Sequence, residues 1–129
     1  MVAPEYGGLG LDALSYAAAM EELARANAAY QGCLSVHNSL VCGALSRFGT
    51  PEQKSRYLPR LARGEWIGAY SLSEAGSGSD AGSIRTAAKP AGEDFTITGT
   101  KCWVSNAGIA DLFVVFGSTS PQSASRGIS

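Results

Sequence analysis

The hydrophobic pattern of the chain changes its period near Gly64. Before that residue, apolar side chains recur every three or four positions, which is the spacing of amphipathic helices. After it, short apolar runs alternate with glycine, serine and threonine, which is typical of strands joined by turns. Helices grouped before strands predict an α+β fold or two adjoining domains. We expect a helical part over residues 1–65 and a β part over residues 66–129.

Two helical patterns precede residue 50. Asp12 is a suitable N-cap for the first, because its carboxylate can accept from the free amides of a first turn, and we expect this helix to reach about Ala29. Gly49 is expected to end the second helix in the left-handed conformation. One face of the second helix would carry Leu34, His37, Val41, Leu45 and Phe48.

A third helix is expected to begin at Thr50-Pro51-Glu52-Gln53. Threonine followed by proline and then by glutamine is the order of a capping box with proline in the first turn. Pro59 lies inside the pattern, so we expect a short or kinked helix that ends at Gly64.

Five strands are expected in the second part of the chain. Thr98-Gly99 supplies a turn between the third and the fourth strand, which predicts a hairpin there. Ser118–Arg126 has the composition of a polar loop. The predicted strands are Trp66–Leu72, Ile84–Lys89, Phe95–Ile97, Lys101–Val104 and Leu112–Phe116.

The stretch Tyr70–Gly82 combines the end of the first predicted strand with a loop of glycine and hydroxyl residues. Glycines allow a ligand to approach the backbone closely. Successive backbone amides in such a loop can also form a nest that binds anions. A solvated loop with no ligand is the alternative interpretation.

Gly76–Ala81 also fits a loose dinucleotide-binding fingerprint, which would make the chain a nicotinamide-dependent dehydrogenase. That fingerprint needs a helix that starts at the glycines. The segment from Ser83 to Gly92 contains Pro90 and has no helical apolar stripe, so this interpretation is the weaker one. A helix of more than two turns starting at Gly78 would restore it.

Composition excludes several classes of function. The net charge of -1 gives no basis for binding nucleic acid or an anionic membrane surface. No apolar run approaches the length of a membrane span, and no signal peptide is visible. The three cysteines lack metal-ligand spacing, which predicts reduced thiols in the cytosol, and a single histidine cannot form a His-rich metal site.

Three single residues have the chemistry of a site. His37 lies on a mostly apolar helix face, which favours a packed histidine over a catalytic base. Cys102 has no nearby group to stabilise a thiolate, so an inert thiol is expected. Trp103 is followed closely by Ser105 in the predicted strand, and a flat aromatic beside hydroxyls suits a planar, hydrogen-bonding heterocycle.

The sequence resembles the acyl-CoA dehydrogenases. The glycine-serine stretch and the segment around Trp103 carry the most specific part of this resemblance. Ser79-Asp80-Ala81-Gly82 and Arg126–Ser129 are most similar to short-chain, butyryl-type members. The resembling segments are Pro4–Asp12, His37–Leu40, Phe48–Lys54, Tyr70–Asp80 and Gly99–Ala110.

The resemblance implies a helical N-terminal domain, a mainly antiparallel middle β-domain and a C-terminal helical bundle, with FAD against the β-domain. Leu72 and Ser73 would lie at the flavin ring, while Gly78 and Ser79 would lie near the pyrophosphate. Ser79 would also contact the acyl-CoA substrate. Ala75 and Ser105 stand where proline and threonine are usual in the family. The implied flavin contacts are Tyr70, Ser71, Leu72, Ser73, Gly78, Ser79, Trp103, Val104 and Ser105.

The implied reaction is α,β-dehydrogenation of an acyl-CoA thioester. The family's catalytic glutamate lies in the C-terminal bundle, and no glutamate of this chain matches it, so we expect an internal fragment that is inactive alone. Expected partners of the full-length protein are its own copies, in a homotetramer or dimer, and an electron-transfer flavoprotein, with oxygen as acceptor in oxidase relatives. We expect a bacterial cytoplasm, with the mitochondrial matrix as the alternative. A non-catalytic α+β module that binds a nucleotide or a partner stays open.

Overall fold

The structure is a computed structural model, and it describes residues 2–120. Four α-helices, a π-helical segment and four strands lie within that range. The helices are α1 (Ala13–Ala26), α2 (Ala28–Ser35), α3 (Gly43–Phe48) and α4 (Pro51–Ala62), and the π segment is Val36–Cys42. The strands are β1 (Gly68–Ser71), β2 (Ala87–Ala91), β3 (Asp94–Thr98) and β4 (Leu112–Val115). The helices precede the strands, and the α+β class is confirmed.

The chain divides into two compact units. The first unit is Met1–Tyr70 with Ser105–Phe113, and the second is Ser71–Val104 with Val114–Ser129. β1 is hydrogen-bonded to β4, and β2 pairs with β3 in an antiparallel hairpin. The domain boundary expected at residues 65 and 66 stays a prediction.

Asp12 caps α1 as predicted, since its side chain accepts from the Ser15 amide at 2.7 Å. The helix ends earlier than predicted, however, at Ala26. Asn27 is extended, and its Oδ1 accepts from the amides of Ala29 and Tyr30 at 2.9 and 3.3 Å. Asparagine side chains compete with the backbone in this way. Asn27 therefore ends the first helix and caps a new one inside the span that the apolar period assigns to the first helix alone.

The second predicted helix is continuous from α2 to α3 but contains the π segment. Of its predicted apolar face, His37 and Val41 are buried while Phe48 is 80% exposed. Gly49 is extended (φ −65°), so the predicted left-handed ending is wrong. A Cβ at Gly49 would lie 2.6 Å from the Leu45 carbonyl oxygen, so the close approach requires glycine there.

The capping box of α4 is confirmed. The Gln53 amide donates to Thr50 Oγ1 at 3.2 Å, and the Thr50 amide donates to Gln53 Oε1 at 2.9 Å. The helix runs through Pro59 and ends at Ala62, two residues before the predicted end. α4 packs against the π segment. The largest fully buried side chains are Leu58, Leu61, Val41 and Cys42.

The strands predicted at β1, β3 and β4 are confirmed, and the predicted strand Ile84–Lys89 overlaps β2 from Ala87 onward. The predicted hairpin is wrong. The turn is at Gly92, which has φ 69°, because β2 pairs with β3. Gly99 is not a turn residue: a Cβ there would overlap Thr86, so the glycine allows a close approach. Lys101–Val104 forms no strand. Most of the predicted loop Ser118–Arg126 lies outside the described residues.

Candidate functional site

The glycine-serine stretch forms a compact loop in the second unit. Glu74 and Ser77 exchange backbone hydrogen bonds of 2.9 and 3.0 Å. The buried Ser77 hydroxyl donates to the Asp80 carbonyl at 2.6 Å, and the Ser83 hydroxyl donates to the Asp80 carboxylate. The only helical turn here is the three-residue 3-10 turn Ala81–Ser83. The helix required by the dinucleotide fingerprint is therefore not formed, and the nicotinamide interpretation is wrong.

The Glu74 carboxylate is the centre of this unit's polar network. It accepts from the Arg85 amide at 2.7 Å, from the Thr86 amide at 2.9 Å and from the Thr86 hydroxyl at 2.6 Å. Lys101 Nζ lies 2.9 Å away, and the Glu74 and Lys101 side chains are only 10% and 11% exposed. Burial raises the pKa of Glu74, but the hydrogen bonds from Thr86, Lys101 and Arg85 outweigh it and hold the pKa at about 2. Glu74 is therefore a charged anchor at neutral pH.

Lys101 joins the two segments that the sequence analysis singled out. Its Nζ donates to the Leu72 carbonyl at 2.9 Å, and the next amide, of Cys102, donates to the Ser73 carbonyl at 3.0 Å. Within the second unit, the chain at Leu72 and Ser73 therefore lies beside the chain at Lys101 and Cys102. Sequence reasoning missed both Glu74 and Lys101. The available signal was that Lys101 is the single charge of Gly99–Ala107 and that Glu74 is one of only two charges in Tyr70–Gly82.

Trp103 follows directly after this pairing. Its backbone has φ 57° and its side chain is 92% exposed, so the predicted strand position is wrong. Left-handed backbone is costly for a bulky residue, and a fully exposed indole gains nothing from burial. Residues in such a strained backbone conformation cluster at active sites and ligand contacts. Val104, the next residue, is half-buried.

The other predicted site residues differ in accessibility. In the second unit Ser71 is buried, whereas Gly78 and Ser79 are exposed. In the first unit, Ser105 is exposed at the start of a turn. Tyr70 is half-buried, burial raises its pKa, and it lines a groove of about 560 Å³ with residues of the π segment and α3.

The single histidine is a packed residue, as predicted. His37 is buried and hydrogen-bonded through both ring nitrogens to backbone groups of Leu61 and Gly68. Among residues 2–120, no three His, Cys, Asp or Glu side chains converge as metal ligands. Over the same range, no helix is long and apolar enough to cross a bilayer.

Two family models match the chain. Residues 1–65 match "Acyl-CoA dehydrogenase, N-terminal domain", and residues 69–129 match "Acyl-CoA dehydrogenase, middle domain".

Individual relatives agree with these matches. The human mitochondrial short-chain specific acyl-CoA dehydrogenase is 44% identical over 99% of this chain and 31% of its own length. Butyryl-CoA dehydrogenase from Megasphaera elsdenii superposes with a TM-score of 0.92 at 36% identity, covering 98% of this chain and 34% of that one. Glutaryl-CoA dehydrogenase from Mycobacterium smegmatis, in complex with FADH2, superposes with a TM-score of 0.84 at 38% identity, covering 88% of this chain and 29% of that one. The chain spans about a third of the length of the curated relatives it matches.

Proposed function

The chain belongs to the acyl-CoA dehydrogenase family, and from this premise we propose that the full-length protein containing it dehydrogenates an acyl-CoA thioester between its α and β carbons, with FAD as cofactor. One observation carries the proposal. The Lys101 side-chain ammonium donates to the Leu72 carbonyl, the Cys102 amide donates to the Ser73 carbonyl, and the exposed indole of Trp103 is the next residue. Two segments distant in sequence thus form one surface within the second unit.

The residues of this surface fit a flavin. A planar ring system needs a flat apolar face and a few polar groups at its edge. The Trp103 indole offers the flat face, and Ser73 is half-buried with its backbone fixed by the Cys102 amide. When bound, FAD supplies hydride acceptance, which no side chain of the chain can provide. We assign the flavin contacts to Tyr70, Ser71, Leu72, Ser73, Gly78, Ser79, Trp103, Val104 and Ser105.

The chain's own residues act by binding and orientation. Ser71 is buried and its carbonyl accepts from the Phe116 amide at 3.1 Å, so it contributes through the backbone of β1. Gly78 and Ser79 are exposed beyond the Glu74–Ser77 turn, which suits backbone contacts to phosphate. We assign the acyl-CoA contact to the Ser79 hydroxyl.

Glu74 is unsuited to abstract the α-proton. A general base works best with a pKa near the operating pH, and the pKa of Glu74 is held at about 2. Its carboxylate is also engaged by Thr86 and Lys101. The family resemblance, and not the exclusion of Glu74, is the ground on which we assign proton abstraction to a glutamate of a C-terminal helical domain in the full-length protein.

The partners of the full-length protein follow the family resemblance. We propose that electrons leave to an electron-transfer flavoprotein and that the protein forms a homotetramer or dimer. The free thiols of Cys33, Cys42 and Cys102 support a reducing compartment, which we take to be a bacterial cytoplasm. We also propose that residues 1–65 and 66–129 are parts of separate domains.

The test uses the purified full-length protein. We expect the protein to show the absorbance spectrum of bound flavin and to reduce a dye when butyryl-CoA is added. Trp103→Ala should weaken FAD binding by about tenfold, because it removes the flat face. Trp66→Phe is the matched control, since Trp66 packs against Tyr57 with ring centroids 6.1 Å apart and should leave FAD binding unchanged. A protein that binds no flavin and reduces no dye would instead be a non-catalytic module.

A further inference from the structure

Both backbone groups of Gly68, the first residue of β1, are held by side chains. The Gly68 amide donates to His37 Nδ1 at 3.0 Å, and the Gly68 carbonyl accepts from Asn106 Nδ2 at 3.0 Å. All three residues belong to the first unit. The start of the strand is therefore fixed from both sides by groups that lie 31 and 38 positions away in the sequence.

The position requires glycine. A Cβ at Gly68 would lie 2.6 Å from Val41 Cγ1, and Val41 is completely buried in the π segment. The same seven-residue π segment carries His37. π turns are rare and are frequently found at functional sites. This one places a ring nitrogen and a β-branched side chain against the same residue of β1.

The hydrogen bonds define the tautomer of His37. Since the Gly68 amide donates to Nδ1, that nitrogen carries no hydrogen. Nε2 then carries the hydrogen and donates to the Leu61 carbonyl at 3.1 Å, near the end of α4. Protonation would place a hydrogen on Nδ1 facing the Gly68 amide, so the contact requires the neutral ring.

Two ionisable groups lie close to this contact. Cys42 Sγ lies 3.9 Å from Nε2, and burial raises the pKa of Cys42 to about 11, so it stays a thiol. The Asp111 carboxylate accepts from the Ile67 amide at 2.9 Å, one residue before Gly68.

Asn106 has a left-handed backbone and, over residues 2–120, an unpaired side-chain oxygen, while its side-chain amide hydrogens are both used. Its backbone has φ 67°, and its buried Oδ1 has no hydrogen-bond partner among the described residues. Nδ2 donates to the Cys33 carbonyl at 3.1 Å as well as to Gly68. A residue that leaves a buried acceptor unpaired while both donors are used is placed for its donors.

We propose that His37 and Asn106 are positioning residues that place Tyr70 and Ser105 for flavin binding. Tyr70 lies two residues after Gly68 on β1, and Ser105 directly precedes Asn106. The pair thus fixes the backbone next to Tyr70 and Ser105, which both belong to the first unit. This inference rests on the proposed function, and it assigns no contact with substrate or cofactor to either residue.

The test separates the two hydrogen bonds of His37 in the full-length protein. Asn places its amide oxygen near the position of Nδ1 and retains an acceptor for Gly68, whereas Gln places its amide near Nε2 and retains only the donor to Leu61. Leu retains neither. The measurements are the hydrogen-exchange protection of the Gly68 amide and the FAD dissociation constant.

We expect His37→Gln to lower the Gly68 protection factor and the FAD affinity about tenfold, and His37→Asn to keep both within about threefold of wild type. A purely structural histidine would give losses that do not distinguish Asn from Gln. If His37→Leu does not fold, the Asn and Gln variants decide.

Two results overturn separate claims. Wild-type protein that binds no FAD refutes the proposed function, while the exchange data still report on the Gly68 contact. If the wild-type protein binds FAD, and His37→Gln equals His37→Asn in both FAD affinity and Gly68 amide protection, the positioning role alone is refuted.

Discussion

The two units hold their backbones by different chemistry. In the first unit, a neutral imidazole accepts one amide hydrogen bond from Gly68 and donates one to Leu61. In the second, the charged Glu74 carboxylate accepts four hydrogen bonds, one of them from the Lys101 ammonium at 2.9 Å. A buried charge costs several kcal/mol unless it is paired, whereas a neutral ring needs only satisfied nitrogens. The Glu74 network therefore depends on its counter-ion, and the His37 contact depends on its protonation state.

Removal of the counter-ion should have the largest effect. Lys101→Met leaves the Glu74 carboxylate buried without its ion-pair partner, and we expect the free energy of unfolding to fall by about 4 kcal/mol. Lys89→Met, at an exposed position of β2, is the control and should change it by less than about 0.5 kcal/mol. Urea unfolding of the full-length protein measures both. Equal losses in the two variants would show that the ion pair is not needed.

Removal of the charge should cost less. Glu74→Gln keeps one acceptor oxygen but loses charge-assisted hydrogen bonds, for an expected loss of about 2 kcal/mol at pH 7. The pKa of Glu74 falls from 4.5 to about 2 on folding, so its carboxylate stabilises the fold fully above pH 4.5. That stabilisation is lost as the pH falls from 4.5 towards 2.

The stability gap between wild type and Glu74→Gln should therefore narrow across this range. Thermal unfolding at several pH values measures the gap, with Glu93→Gln, an exposed glutamate, as the matched control. A gap that stays constant between pH 5 and about 2.5 contradicts the assignment of a lowered pKa.

The smallest loss of stability should come from the first unit, whose contacts to Gly68 are uncharged. Asn106→Gly retains the left-handed backbone and removes both donors, which leaves the Gly68 carbonyl without that partner. We expect a loss of about 1.5 kcal/mol, partly offset because glycine is relaxed at positive φ. Ala107→Gly, in the same turn, is the control for added backbone freedom, and urea unfolding compares them. If Asn106→Gly lowered the free energy of unfolding as much as Lys101→Met, the difference in charge would not explain the difference between the two units.

Caps and apolar strands could be predicted from the sequence because their signals are local. The Thr50–Gln53 capping box and the Asp12 cap each join residues three positions apart, so their spacing alone identifies them. The apolar run at Leu112–Val115 similarly marks β4. The cap at Asn27 could not be predicted in this way, because the apolar helical spacing continues through it and indicates no break.

The hairpin was mispredicted because two turn signals competed. Thr98-Gly99 and the Gly92 region both contain a suitable glycine, and only the pairing of β2 with β3 selects Gly92. Gly99 is instead needed for its approach to Thr86, a contact between residues 13 positions apart that no local pattern records.

The sequence by itself determined the helix-to-strand order, the family resemblance and the two segments around Ser73 and Trp103, since each is written in contiguous residues. Only the tertiary structure decided which side chains hold those segments. Lys101 lies 29 positions from the carbonyl it binds at Leu72, and Asn106 lies 38 positions from Gly68. Burial and pairing at such distances depend on the packed chain, because the cost of an unpaired polar group arises only after water has been removed around it.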